Sequence, residues 1–391
     1  METATPLYIK HATIYSTEKV IQDGFVLIED GRITKINSAE ITPLPEHTQA
    51  IDGTGLCLIP GFIDGHIHGA NGADVMDATE EALDAIARVL PEEGTTSFLA
   101  TTITQAPENI EAALENTAAY HSGIGQAEML GVHLEGPFIE KNKAGAQPLE
   151  YIMEPDLEQF KTWQQLSGNK IKTITMAPEH DRDGRFTAYL YENGINVSAG
   201  HTDAGFSDME KAVSRGVRQV THLCNAMTGI HHRDIGVVGA AFFLEDLRAE
   251  LIADGIHVSP EMLSLIFANM GSERLLLITD AMRAKCLEKG NYELGGQPVS
   301  VSEDRAILAD GTLAGSILKM NEGAKQMFQL PEVTMRDIVR MTAENPAKQL
   351  GVWERKGSIE VGKDADILLV NEELDIKYTI CRGAIAFKED Y

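Results

Sequence analysis

The 391-residue sequence has few cysteines and lacks any long apolar run. Its four cysteines form no CxxC pair and lie far apart, at Cys57, Cys224, Cys286 and Cys381. This pattern excludes a disulfide-rich scaffold and favours reduced thiols. No apolar run approaches the roughly 20 residues that would span a bilayer, and the opening METATPLYIK lacks the apolar core of a signal peptide. We therefore expect a soluble cytoplasmic protein with no membrane partner.

Basic residues are also scarce. The chain has 33 Lys and Arg against 59 Asp and Glu, which gives a formal net charge of −26. Such a balance excludes nucleic acid as a partner, because a protein that binds a phosphate backbone needs basic patches. An anionic small-molecule substrate would need local arginine or histidine side chains to overcome the field of the whole chain.

Both ends of the chain have the pattern of short β-strands. Alternating apolar and polar positions are found at residues 7–14, 24–29, 32–37, 357–360, 366–371 and 376–382. Asp30-Gly31 is typical of a hairpin turn. Two β-rich ends around a different middle predict one small discontinuous domain, formed by residues 1–58 and 352–391, in which the termini meet.

The middle, residues 59–351, alternates strands with amphipathic helices. The predicted strands are residues 58–68, 95–102, 129–136, 171–177, 195–201, 219–225, 249–255 and 275–280. Predicted helices include residues 80–90, 107–120 and 206–215, and Ser259-Pro260 is a typical helix start. Eight strands that alternate with helices favour an α/β fold, a closed (β/α)₈ barrel of the TIM type. The pattern does not predict a structure for the Gly-rich segment 290–315.

Polar side chains fall at the ends of five of the eight predicted strands. They are His66 and His68 on strand one, Glu135 on strand three, His201 on strand five, His222 on strand six and Asp280 on strand eight. In a barrel these strand ends meet at one rim, where catalytic groups lie. Each residue alone has an ordinary explanation, such as a buried histidine or a helix cap. Burying all of them together without a cation would cost several kcal/mol, whereas imidazoles and carboxylates are natural ligands of a divalent metal.

These residues resemble the amidohydrolase superfamily. The motifs HLEGP (133–137), SAGHTDA (198–204), THLCNAM (221–227), ADGIHV (253–258), ITDAM (278–282) and LAGS (313–316) closely resemble its N-acetylglucosamine-6-phosphate deacetylase family. The resemblance runs from Pro60 to about Leu350, and it implies that the terminal strands form that family's small β-sandwich domain. The implied reaction is hydrolysis of the acetamide of N-acetylglucosamine 6-phosphate, in amino-sugar catabolism and recycling.

The resemblance implies one or two divalent metal ions per chain, drawn from Zn, Fe, Mn and Co. Glu135, His201 and His222 would hold the main ion, and His66 and His68 a second, with Glu135 as a bridge and Asp280 as a further ligand. The metal would activate a bound water and polarise the acetyl carbonyl. Asp280 would accept the proton of that water and deliver it to the leaving amine.

The implied substrate contacts form a second group. They are Asn225 and Ala226 for the phosphate or the ring of the sugar, Arg233 and His257 for the 6-phosphate, and Ala146, Leu313, Ala314 and Gly315 for the acetyl and sugar pocket. Arg233 would reach across the interface of a homodimer. One position departs from the family: Gln147 stands where some relatives have a carbonyl-polarising histidine, and a glutamine donates a hydrogen bond but no proton.

Two other interpretations are open at this stage. A different amidohydrolase, such as a cyclic amidase or an N-acyl-amino-acid deacylase, would share the metals but not the phosphate site. A non-catalytic scaffold on the same fold would be expected to lack some of the ligands. Metal storage alone would leave Asp280 without a purpose.

Overall fold

The computed structural model describes residues 5–389. Its central feature is a sheet of eight parallel strands whose hydrogen-bonded order follows their order in the chain. We number them barrel strands one to eight: Phe62–Ile67, Thr95–Thr102, Glu128–Glu135, Ile171–Met176, Asn196–Ala199, Val217–Val220, Arg248–Ile252 and Leu275–Ile278. A parallel bridge between Ile67 and Ala281 brings the last strand back to the first. The predicted (β/α)₈ barrel is confirmed.

Helices cover the outside of the barrel. They are Glu80–Val89, Pro107–Ala119, Leu157–Leu166, Arg185–Glu192, Phe206–Arg215, Gly236–Phe243, Pro260–Met270, Met320–Phe328, Met335–Val339 and Asn345–Gln349, and the last two are joined by the π-helical turn Arg340–Glu344. The predicted start at Ser259 is confirmed, because its side chain accepts a hydrogen bond from the Met262 N–H and Pro260 is the first helical residue. Within residues 5–389 no helix is both long and apolar enough to cross a membrane.

Strands from both ends of the chain form a second sheet. They are Leu7–Tyr15, Val20–Glu29, Arg32–Asn37, Gln49–Asp52, Cys57–Pro60, Ile367–Val370, Ile376–Cys381 and Ala384–Lys388. Cys57–Pro60 pairs with the first strand on one side and with Ile367–Val370 on the other. The two ends of the chain are therefore hydrogen-bonded through this strand. The domain bounds 1–58 and 352–391 stay a prediction, and residues 1–4 and 390–391 lie outside the described residues.

The single strand predicted at residues 58–68 is wrong in detail. The structure has two strands there, Cys57–Pro60 in the terminal sheet and Phe62–Ile67 in the barrel. Gly61 separates them, and its Cα lies so close to the Thr96 side chain that any Cβ would clash. The apolar run is continuous because both strands are buried, so hydrophobicity alone does not show where the chain passes from one sheet to the other.

Further differences between the predicted and the observed strands lie in the terminal sheet. The expected strand at residues 357–360 is not formed, while Gln49–Asp52 and Ala384–Lys388 are strands that the pattern did not predict. Gln49–Asp52 is short and exposed at three of its four positions, so it has little alternation to detect.

The Gly-rich segment after barrel strand eight forms a three-stranded sheet of Gly290–Leu294, Gln297–Val301 and Ala306–Ile307. Two side-chain hydrogen bonds attach it to the loops of the barrel. Gln105 Nε2 donates to the Gly295 carbonyl at 3.1 Å, and Gln297 Nε2 donates to the Ala146 carbonyl at 2.6 Å. This small sheet therefore lies against the mouth of the barrel.

Candidate metal centre

The backbone directs each predicted ligand into the mouth of the barrel. His66 and His68 share one face of the first strand region because side chains alternate with period two. His201, His222 and Asp280 each lie two residues beyond the end of a barrel strand, and each has a left-handed backbone with φ of 46°, 29° and 48°. A non-glycine residue rarely adopts this conformation, and such residues cluster at functional sites.

Glu135 lies at the centre of the cluster. Its Oε1 is 3.2 Å from His201 Nε2 and 3.3 Å from His222 Nε2, and its Oε2 is 3.2 Å from His68 Nε2. The two Nε2 atoms of His201 and His222 are themselves 3.1 Å apart. Glu135 Oε1 also lies 3.4 Å from His66 Nε2, so one carboxylate contacts four imidazoles at once.

Asp280 closes the other side of the centre. Its Oδ1 is 3.2 Å from His68 Nε2 and 3.4 Å from His66 Nε2. All six residues are buried, with Asp280 the most exposed at 9%. Two triads have ligand atoms close enough to share an ion: Glu135 with His201 and His222, and Asp280 with His66 and His68.

The hydrogen bonds behind the histidines fit a cation at the centre. His201 Nδ1 is 2.8 Å from the Lys143 carbonyl, which can only accept a hydrogen bond. His201 therefore carries its proton on Nδ1, and in the neutral ring Nε2 presents a lone pair to the cluster. His66 Nε2 is buried and makes no hydrogen bond to any residue in the described part of the chain. Converging lone pairs and carboxylate oxygens are the donor set of a divalent metal site.

The pKa values show how negative this site is before a metal binds. Burial would lower the pKa of His68, but hydrogen bonds with Asp280 and Glu135 raise it to about 9. Burial would raise the pKa of Asp280, but His66 and His68 lower it to about 2. The pKa of Glu135 is likewise held well below its usual range, against its burial, by the surrounding imidazoles. The site attracts positive charge, whether protons or metal ions.

A pocket of about 310 Å³ opens above this centre. Six of the eight predicted substrate residues line it, namely Ala146, Asn225, Ala226, His257, Leu313 and Gly315. Ala314 is fully buried behind the wall and is not a lining residue. The wall is completed by Leu294 of the small three-stranded sheet, which therefore helps to shape the pocket.

Arg233 is not brought to this pocket within the chain. It lies on an exposed loop, where its Nη1 is 2.8 Å from His232 Nε2. His257, by contrast, faces the pocket and donates from Nδ1 to Asp254 Oδ2 at 2.6 Å. That bond fixes the imidazole ring and leaves Nε2 as its other polar atom.

Sequence reasoning did not single out Lys143, which also lines the pocket. Its ammonium group is 3.6 Å from Asp203 Oδ1, and its side chain is 28% exposed. The signal was the position of Lys143 between Glu135 and Ala146, two residues already assigned to the site. Asn142, Ile103 and Thr312 are further lining residues that the motifs did not predict.

The structure also gives Gln147 a place. Its Nε2 donates to Glu135 Oε2 at 2.7 Å, and its Oε1 accepts from the Thr104 N–H at 2.8 Å. Gln147 is therefore held at both ends and orients the central carboxylate.

A closed barrel with four histidines and two carboxylates at the carboxyl ends of its strands is the architecture of a metal-dependent hydrolase. Residues 57–386 match the amidohydrolase family, and the chain belongs to that family. Within it, the chain is 49% identical over 389 residues to an N-acetylglucosamine-6-phosphate deacetylase of Bacillus subtilis, covering 98% of each sequence.

Solved structures of similar sequence have the same fold as this chain. The deacetylase of the same name from Pasteurella multocida superposes with a TM-score of 0.90 at 30% identity, over 97% of this chain and 99% of that one. An aspartate-to-alanine mutant of the Mycobacterium smegmatis enzyme, in complex with N-acetyl-D-glucosamine-6-phosphate, gives a TM-score of 0.89 at 25% identity over 99% and 100% of the two chains.

Proposed function

We propose that this enzyme hydrolyses N-acetyl-D-glucosamine 6-phosphate to D-glucosamine 6-phosphate and acetate, as a step in amino-sugar catabolism and recycling. The observation that supports this most is the centre itself. Four imidazoles and two carboxylates converge at the base of a pocket large enough for a sugar phosphate. Relatives that match nearly the whole chain bear the name of this activity.

Glu135, His201 and His222 would hold one divalent ion, and His66, His68 and Asp280 a second, with Glu135 between them. Zn, Fe, Mn and Co all suit these ligands. When bound, the metal supplies Lewis acidity, which polarises the acetyl carbonyl and lowers the pKa of water so that hydroxide is available to attack near neutral pH. Gln147 holds the Glu135 carboxylate in the orientation in which it contacts histidines of both triads.

Asp280 is the proposed general base and acid. Its side chain lies at the pocket wall, and its carboxylate is ionised because its pKa is lowered to about 2 by His66 and His68 against the effect of burial. It would take a proton from the attacking water and then give it to the amide nitrogen. The second transfer is needed because an unprotonated amine is a poor leaving group.

The phosphate must be attracted into a strongly acidic protein. Lys143 and His257 are cationic or potentially cationic side chains at the pocket. We propose that Arg233 completes the phosphate site from the partner subunit of a homodimer. Two large apolar side chains support an interface near its loop, because Ile230 is 53% exposed and Phe243 is 70% exposed.

The cytoplasm is the proposed location. All four cysteines are free thiols, which is the usual state in a reducing compartment.

The test is acetate release from purified protein, measured with N-acetylglucosamine 6-phosphate and with N-acetylglucosamine, together with metal analysis of the same preparation. We expect turnover of the phosphorylated sugar, dependence on bound metal, and much weaker reaction with the unphosphorylated sugar. Equal turnover of both sugars would contradict the phosphate site, and faster hydrolysis of a cyclic amide or an N-acyl amino acid would favour another amidohydrolase activity.

A further inference from the structure

Glu250 is a buried carboxylate outside the two triads of the proposed centre, although its side chain also lies within ligand distance of His66 and His133. It lies on barrel strand seven, Arg248–Ile252, and is 2% exposed. It does not line the substrate pocket. A buried carboxylate needs partners to offset its lost hydration, and those of Glu250 belong to the metal centre.

One oxygen of Glu250 contacts two proposed metal ligands. Oε2 accepts from His66 Nδ1 at 3.0 Å and from the backbone N–H of His222 at 3.3 Å. The Glu250 backbone carbonyl also accepts from the Leu223 N–H at 2.9 Å. Glu250 thus connects the histidine of strand one with the histidine that follows strand six.

The contact with His66 decides which ring nitrogen carries the proton. An ionised carboxylate only accepts hydrogen bonds, so His66 must donate from Nδ1. In the neutral ring that a metal ion binds, Nε2 is then the unprotonated nitrogen, and this atom faces Glu135 and Asp280 at 3.4 Å each. The negative partner also makes Nε2 a stronger metal ligand.

The other oxygen of Glu250 is fixed from the opposite direction. Oε1 accepts from Gln219 Nε2 at 2.6 Å, and Gln219 Oε1 in turn accepts from Gln349 Nε2. This chain of side chains holds the carboxylate plane, so that rotation away from His66 would break a short hydrogen bond.

We propose that Glu250 is a positioning residue of the metal centre, which sets the tautomer and orientation of His66 for the second ion. The inference rests on the proposed two-ion centre. Direct ligation of an ion by Glu250 is disfavoured. Such an ion would also bind His66 Nδ1, and His66 could then bind the proposed centre through Nε2 only if its ring lost both protons.

The experiment compares Glu250→Leu and Glu250→Gln with wild type. Metal-free protein, prepared by chelation, is first examined by proton NMR for the His66 Nδ1–H resonance, which His66→Gln identifies by its loss. Co²⁺ is then titrated, and both the number of bound ions and the visible absorption spectrum are recorded. Glu344→Gln is the matched control, since Glu344 is a buried carboxylate whose ionic partners, Arg336 and Lys348, lie outside the metal centre.

Glu250→Leu should lose the protected resonance and bind the second Co²⁺ about 10–100-fold more weakly, with a changed spectrum, while the first ion stays tightly bound. Glu250→Gln keeps a neutral acceptor, so its affinity for the second Co²⁺ should lie between those of Glu250→Leu and wild type. This variant tests the inference even if Glu250→Leu folds poorly. Glu344→Gln should keep both ions and the resonance.

Four results would overturn the inference. One is unchanged Co²⁺ binding and resonance in both Glu250 variants. Another is equal weakening of both ions, which would indicate a general structural role. If wild type binds three ions and Glu250→Gln binds only two, Glu250 would itself be a metal ligand. A wild type that binds a single ion but releases acetate would overturn this inference and leave the proposed function standing.

Discussion

Three residues of the proposed metal centre, His201, His222 and Asp280, have a left-handed backbone conformation. For a residue with a Cβ this conformation costs on the order of 1–2 kcal/mol. The gain is that a residue just past a strand end turns its side chain inward instead of following the strand. The surrounding hydrogen bonds maintain it; for example, the Asp280 N–H donates to the His66 carbonyl at 2.8 Å.

Asp280→Asn tests the proton transfer. Asparagine keeps the size of the side chain but cannot accept a proton, so kcat for acetate release should fall by a factor on the order of 10² or more. Steady-state kinetics with parallel metal analysis would measure this. Asp304→Asn, which alters an exposed carboxylate, should behave as wild type. Near-normal turnover of Asp280→Asn with full metal content would remove Asp280 from the mechanism.

Arg233→Ala and His257→Ala test the phosphate site. Each should weaken binding of the phosphorylated sugar by about 1.5–3 kcal/mol, the scale of a hydrogen bond to a charged group. Slow hydrolysis of the unphosphorylated sugar should change little. The measurement is KM and kcat on both sugars, with the exposed Arg185→Ala as control. Equal losses on both sugars would show that these residues serve the fold or the metal.

The raised pKa of His68 predicts that metal binding releases protons. In metal-free protein His68 stays protonated below about pH 9, because its hydrogen bonds with Asp280 and Glu135 outweigh burial. A metal ligand must be the neutral imidazole, so the ion has to displace that proton. Adding Zn²⁺ to chelated, weakly buffered protein at pH 7 should acidify the solution, and this component of the release should disappear as pH rises through 9. Release that is the same at pH 7 and pH 10, or unchanged in His68→Asn, would contradict this assignment.

At the scale of elements, the first barrel strand and the residue that follows it supply two proposed ligands, His66 and His68, because alternate residues share a face. The double variant His66→Gln/His68→Asn should therefore bind one ion per chain where wild type binds two. Metal titration of chelated protein would count them, with His121→Gln as control, because His121 is exposed and belongs to none of the candidate metal clusters among the described residues. If wild type binds one ion at saturation and the double variant matches it in binding and turnover, the second site does not exist.

The small three-stranded sheet shows what an inserted element contributes. Its Leu294 lines the pocket, and its Gln297 hydrogen-bonds to the loop that carries Ala146. The same loop carries Lys143, whose carbonyl fixes His201. Pocket wall and metal ligand are thus connected through one loop, although neither residue of the small sheet touches the metal centre.

At the scale of the whole molecule, the proposed homodimer can be tested. If Arg233 acts in the partner's site, mixing Asp280→Asn chains with Arg233→Ala chains should restore activity, because one site of each mixed dimer combines an intact Asp280 with the partner subunit's intact Arg233. Acetate release after subunit exchange would measure this, and sedimentation would confirm the dimer. Chains that carry both substitutions are the control. A monomer at all concentrations, or no recovery in exchanged dimers, would contradict the shared site.

Local sequence patterns sufficed for the barrel and for its six proposed ligands. Strand periodicity, helix starts such as Ser259-Pro260, and polar residues at strand ends are all properties of short segments. The rule that parallel strands of a barrel end at one rim is then enough to predict that His66, Glu135 and Asp280 lie together.

The break between the first two buried strands and the hydrogen bonds behind the proposed ligands were decided only by the tertiary structure. The contacts that determine them join residues far apart in the chain. The break at Gly61 depends on the Thr96 side chain. The orientation of Gln147 depends on Thr104, and the tautomer of His66 depends on Glu250, 184 residues away. Periodicity shows which face of a strand is buried, but a hydrogen bond between two buried side chains requires their relative position, and packing alone sets that position.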